Sequence, residues 1–112
     1  MTDRPWKATE RAIARRFGGR RTGVIEQWGH PGVADVYTDW LAVEVKERRA
    51  LPAWLHLALS QARAGATPEQ LPLVVLHESG RRHDGDMVLL RLSDFEDWFG
   101  RGSSGTDDGE KV

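Results

Sequence analysis

Three residues of this 112-residue chain, Asp35, Glu44 and Lys46, combine side-chain types and a spacing that can do chemistry. Glu44 and Lys46 lie two apart in Leu41-Ala42-Val43-Glu44-Val45-Lys46. Side chains alternate along a strand, so Glu44 and Lys46 share one face while Val43 and Val45 take the other. Asp35 stands in the preceding apolar run, Val33-Ala34-Asp35-Val36. A turn at Thr38-Asp39 makes the two runs a hairpin and lays Asp35 roughly across from the Glu44 region. Two carboxylates and an ammonium then converge. Hard dications such as Mg²⁺ take oxygen ligands and keep several waters. Such a metal polarises a phosphodiester and activates a bound water. The lysine steadies charge on the pentavalent transition state and lowers the repulsion between the carboxylates. A Glu-x-Lys pair alone is commonly a surface ion pair of little energetic weight. Here both acids sit in otherwise apolar runs, and the glycine-containing loop Gly29-His30-Pro31-Gly32 directly precedes Asp35.

The elements that must position these groups follow from periodicity. Trp6 to Phe17 reads as a helix, with Ala8, Ala12, Ile13 and Phe17 as its apolar stripe. Gly18-Gly19 stops it. Arg21 to Gln27 carries Val24 and Ile25 and reads as a strand; Val33–Tyr37 and Leu41–Lys46 follow as the hairpin. Pro52 opens a helix to about Ala64, which Gly65 closes. Thr67-Pro68-Glu69-Gln70 has the pattern of a short capped turn. Leu73 to Leu76 is a continuous apolar run typical of a buried strand. A polar loop, Glu78 to Gly85, separates it from a strand at Met87 to Leu92. Ser93 with Glu96 reads as a capping box opening a last helix through Phe99. The order is helix, three strands, helix, two strands, helix: an α/β domain with a mixed sheet flanked by helices. Residues 1–100 are expected to form one domain, and the tail 101–112, with Asp107, Asp108 and Glu110, to be disordered.

Composition excludes several classes. The chain has no cysteine, which removes disulfides, thiolate metal sites and a cysteine nucleophile. No apolar run reaches the length of a membrane span. The charged N-terminus has no signal-peptide core, so a cytoplasmic protein is expected. The formal net charge is −1, but the acidic tail hides a basic start. Lys7, Arg11 and Arg15 recur on one helix face, Arg20 and Arg21 follow, and Arg48 and Arg49 come directly after Lys46. Clustered beside the carboxylates, these seven are expected to line a groove for a nucleic-acid backbone. His30, His56, His77 and His83 share no zinc-ligand spacing, so a zinc site is not expected. Trp28, Trp40 and Trp54 read as packing residues, with Trp28 also able to stack on a base.

The ordered segments resemble the PD-(D/E)xK nuclease superfamily, and within it the small archaeal-type and phage Holliday junction resolvases. The resemblance spans residues 5 to 99. It rests on the glutamate-bearing helix (Lys7-Ala8-Thr9-Glu10-Arg11), the basic stretch Arg20-Arg21-Thr22-Gly23, Asp35, and Glu44-Val45-Lys46. It implies a restriction-endonuclease-like mixed central sheet and Mg²⁺- or Mn²⁺-dependent hydrolysis of DNA phosphodiesters. Asp35, Glu44 and Glu10 would act as metal-site residues, with Lys46 and Gln61 completing the catalytic set. It also implies a homodimer acting on branched DNA in phage or prophage recombination, in the host cytoplasm if phage-encoded. The chain departs from the pattern at Ala34, where a proline usually precedes the aspartate. The loop before Asp35 also lacks the serine often found in the resolvases. Nucleases of the same fold acting on flaps, nicks or duplex, and a non-catalytic nucleic-acid-binding module, are the alternatives.

Overall fold

A computed structural model of the chain describes residues 5–21 and 34–100. They divide into two compact units, the first ending at Arg48 and the second comprising Arg49–Gly100. The first unit contains α1 (Pro5–Phe17), β1 (Arg20–Arg21), β2 (Val36–Tyr37) and β3 (Ala42–Val43). The second contains α2 (Ala53–Ala64), β4 (Val74–Leu76), a 3₁₀ turn (His83–Gly85), β5 (Met87–Leu89) and α3 (Leu92–Phe99). The α/β order expected from the sequence is present: helix, three strands, helix, two strands, helix. Where the resemblance implies one mixed central sheet, the described strands pair as two antiparallel sheets, β1-β2-β3 and β4-β5. The expected strand from Arg21 to Gln27 is described only at its start, and Trp28, His30 and the tail 101–112 lie outside the described residues.

In the first unit, helix α1 ends as its glycines dictate. Gly18 takes φ +66°, a region open to glycine for want of a Cβ. The Gly18 N–H then bonds the Arg15 carbonyl at 3.2 Å, and the Gly19 N–H bonds the Ala14 carbonyl at 2.8 Å. These are the two bonds of a Schellman cap, satisfying carbonyls the helix leaves open. The chain then turns directly into β1, so α1 packs on β1 and β2. Among the described residues, the core of this unit is Ala14, Phe17 and the fully buried Val36.

The buried line of α1 runs Glu10, Ala14, Phe17. The apolar stripe read from the sequence was Ala8, Ala12, Ile13 and Phe17; Ala8 is exposed, and Ala12 and Ile13 are half-buried. The inward face is therefore rotated toward a carboxylate, which a hydrophobicity pattern cannot select.

Gly19 passes under the hairpin without room for a side chain. A Cβ there would stand 2.5 Å from the Tyr37 carbonyl oxygen and 2.9 Å from side-chain carbons of Val36 and Thr38. The nearest of these atoms is backbone, in the β1–β2 pair Arg20↔Tyr37, so relief would cost strand pairing. Gly19→Ala is expected to lower stability by about 1–3 kcal/mol, the usual range for overpacking. Chemical denaturation checks this; an unchanged midpoint would refute the close approach.

In the second unit, α2 packs on β4, and Arg63 of α2 pairs with Asp94 of α3 at 2.6 Å. The Thr67–Gln70 turn is capped as expected: Thr67 N–H donates to Gln70 Oε1, and Gln70 N–H to the Thr67 carbonyl, both at 3.0 Å. The capping box at Ser93 is corrected. Helix α3 starts one residue earlier, after Arg91, with no side-chain cap, and Glu96 is buried. The tryptophan expectation is also corrected at two positions. Trp40 sits at the tip of the β2–β3 turn and Trp54 in the first turn of α2, a helix with no buried residue, so both are exposed. Among the described residues, no helix is long and apolar enough to cross a membrane.

Candidate active site

The β2–β3 hairpin is joined by the four residues 38–41. Thr38 N–H bonds the Leu41 carbonyl at 3.0 Å, and Thr38 Oγ1 accepts the Leu41 N–H at 3.1 Å. The ladder pairs Tyr37 with Ala42 and Val36 with Val43. Asp35 comes next. Its N–H donates to the Val43 carbonyl at 2.9 Å, and its Oδ2 accepts the Val45 N–H at 2.7 Å. Asp35 thus grips the opposite backbone on both sides of Glu44. The bond to Val45 occupies Oδ2 and leaves Oδ1 as the oxygen for a ligand.

Glu44 and Lys46 do share a face. Lys46 Nζ lies 3.2 Å from Glu44 Oε2, and both side chains are more than half exposed. Such an exposed pair adds little stability.

Glu10 reaches the same place from α1. Asp35, Glu44, Lys46 and Glu10 line one open pocket of about 230 Å³, together with Trp6, Val45, Glu47 and Arg48. Glu10 is buried at 6 % exposure and receives Arg21 Nε at 3.1 Å and Nη2 at 2.8 Å, both on Oε1. Arg21, expected to face a nucleic-acid backbone, is instead spent on holding a buried carboxylate. That leaves Oε2 as the Glu10 oxygen without this partner.

Glu47 was missed by the sequence reading. It accepts a short hydrogen bond from Thr9 Oγ1, tying the end of the hairpin to α1 one residue from Glu10. The signal was its place after Lys46, hidden by the arginines that follow. Gln61 and Arg49 belong to the second unit, where both are exposed; the pocket's lining comes from the first unit alone. Of the expected basic groove, Arg15, Arg20 and Arg48 are exposed, and Lys7 and Arg11 are half-buried. Lys7 Nζ lies 5.5 Å from the Trp6 ring centroid, a cation–π contact.

No family model, curated protein or solved structure matches this chain. The site is therefore judged on its donor chemistry. Glu10, Asp35 and Glu44 offer only oxygen, and they surround a pocket open to water. Among the described residues, the three do not close to mutual ligand distance. Oxygen-only donors are the kind that hard dications such as Mg²⁺ take.

Proposed function

We propose that the chain is a Mg²⁺-dependent DNA nuclease, acting in the cytoplasm, and that its preferred substrate is branched DNA such as a four-way junction. The observation that carries this reading is the convergence of Asp35, Glu44, Lys46 and Glu10 on one pocket of the first unit. Asp35 and Glu44 would hold the metal, Mg²⁺ or Mn²⁺, with Glu10 contributing Oε2 directly or through a water. When bound, the metal supplies Lewis-acid activation of a phosphodiester and of a water nucleophile.

The chain's own groups do the rest. The Val45 N–H fixes the Asp35 carboxylate, so its free oxygen points without reorganisation. Arg21 holds the Glu10 carboxylate in place through two bonds to Oε1. Lys46 swings from Glu44 to the scissile phosphate and stabilises the charge that builds there. Arg48 at the pocket and the exposed Arg15 and Arg20 bind flanking phosphates.

Symmetric cutting of a junction requires two sites, which a C₂ homodimer provides. The second unit offers suitable surface: Trp54 and Leu57 on α2, and Val75 and Val88 on β4 and β5, are all more than half exposed.

The test is direct. Purified protein is incubated with synthetic four-way junctions, flaps and linear duplex, in Mg²⁺ and in EDTA. Paired cuts at the junction in Mg²⁺, abolished by EDTA, are expected. Cleavage of flaps or duplex alone would keep the chemistry and replace the substrate. No cleavage of any of them in Mg²⁺ or Mn²⁺ would overturn the nuclease reading.

A further inference from the structure

The second unit holds a cluster that the carboxylate pocket does not use. The β4–β5 ladder ends at the pair Leu76↔Met87, so His77 and Asp86 face each other as the next residues of the two strands. His77 Nδ1 lies 2.6 Å from Asp86 Oδ1. The 3₁₀ turn at His83–Gly85 closes with the Asp86 N–H on the His83 carbonyl at 2.9 Å. It thereby folds His83 back, and His83 Nδ1 comes within 3.0 Å of Asp86 Oδ2. The two imidazoles stack, with centroids 4.3 Å apart and planes 29° apart. One carboxylate thus receives a ring nitrogen on each oxygen. It is well shielded, with its side chain 13 % exposed.

His77, His83 and Asp86 each place a donor atom within 4.8 Å of the others. Donors around a tetrahedral dication with bonds of about 2.0–2.2 Å stand roughly 3.4 Å apart. A metal can therefore enter by small movements of two rings, taking the place of the protons they direct at Asp86. Two imidazoles and one carboxylate favour a borderline metal such as Zn²⁺ over Mg²⁺. His77 and Asp86 line an open pocket of about 790 Å³ together with Glu78, Arg81 and Arg82, leaving room for a water as fourth ligand.

We infer that His77, His83 and Asp86 form a Zn²⁺ site that clasps the base of the loop 78–85. It differs from the carboxylate pocket in unit, donor type and metal, so it stands or falls separately from the nuclease reading.

The full chain, stripped with chelator and dialysed, is titrated with Zn²⁺ by calorimetry, with the His imidazole resonances followed by NMR. One saturable equivalent is expected, with the His77 and His83 signals shifting. His83→Ala should weaken binding by at least about tenfold. His83 is largely exposed, so this change should leave the hairpin folded; His77→Gln is the second variant. His56→Ala should bind as the unaltered chain does. No saturable binding by the unaltered chain would overturn the site. So would equal affinity in His83→Ala and His77→Gln, or an equal loss in His56→Ala.

Discussion

Asp35→Asn is expected to reduce Mg²⁺-dependent DNA cleavage by at least about a hundredfold while leaving the hairpin folded. The carboxylate has two separable jobs. Its Oδ2 accepts the Val45 N–H at 2.7 Å, and in the proposed site its other oxygen would be offered to the metal. Asparagine keeps a carbonyl oxygen for the backbone bond but removes the charge that a dication needs. Its stability should stay within about 1 kcal/mol of the unaltered chain. Asp35→Ala loses both jobs, and with a part-buried N–H left unpaired it should cost roughly 1–3 kcal/mol. Cleavage rates and denaturation midpoints of the two variants measure each job. An Asn variant that still cuts at the original rate would remove Asp35 from the metal site. An Ala variant as stable as the Asn one would show that the clamp on Val45 has no weight.

Arg21→Met is expected to destabilise the fold by about 2–4 kcal/mol, because it leaves the Glu10 carboxylate buried and unpaired. Arg21 donates from two nitrogens to one oxygen of Glu10, and the Glu10 side chain is only 8 % exposed. The partly exposed arginine keeps the expected loss below that of a fully enclosed pair. Replacing both partners, Glu10→Leu with Arg21→Met, should recover much of the stability, since no charge is then stranded. The double-mutant cycle isolates the coupling. The same variants separate two roles for Arg21. If it served chiefly as a groove cation, Arg21→Met would weaken DNA binding and leave the denaturation midpoint unchanged. If Glu10 serves the proposed metal site, the pair would also link stability to catalysis, because Arg21 both holds Glu10 and ties α1 to β1.

Much of the fold was legible because local patterns encode it. Gly18-Gly19 could only stop a helix, and the Schellman bonds follow from that pair. Thr67-x-x-Gln70 specified its own reciprocal turn. The hairpin was legible from two apolar runs and a polar turn. The Ser93 capping box misled because the helix had already begun at Leu92, so a residue with good capping chemistry landed inside it. The tryptophans misled because ring size says how much a residue could bury, not whether a partner surface is there. His77 and His83 share no zinc-ligand spacing with each other, yet both meet an aspartate, Asp86, across a hairpin.

For the carboxylate pocket itself, the sequence by itself determined that Glu44 and Lys46 share a face and that Asp35 lies on the opposite arm of the hairpin, although the ladder stops short of all three, β2 starting at Val36 and β3 ending at Val43. Tertiary structure decided how Asp35 is held, by a backbone N–H two residues from the apolar partner of Val36. It decided that the inward line of α1 passes through Glu10. It also decided that Arg21 neutralises that glutamate rather than facing outward. The reason is physical. Periodicity is set by neighbours along the chain, whereas the partner of a buried charge depends on where the backbone goes after it leaves the helix. Here it turns at Gly18-Gly19 and enters β1, which brings Arg21 against Glu10.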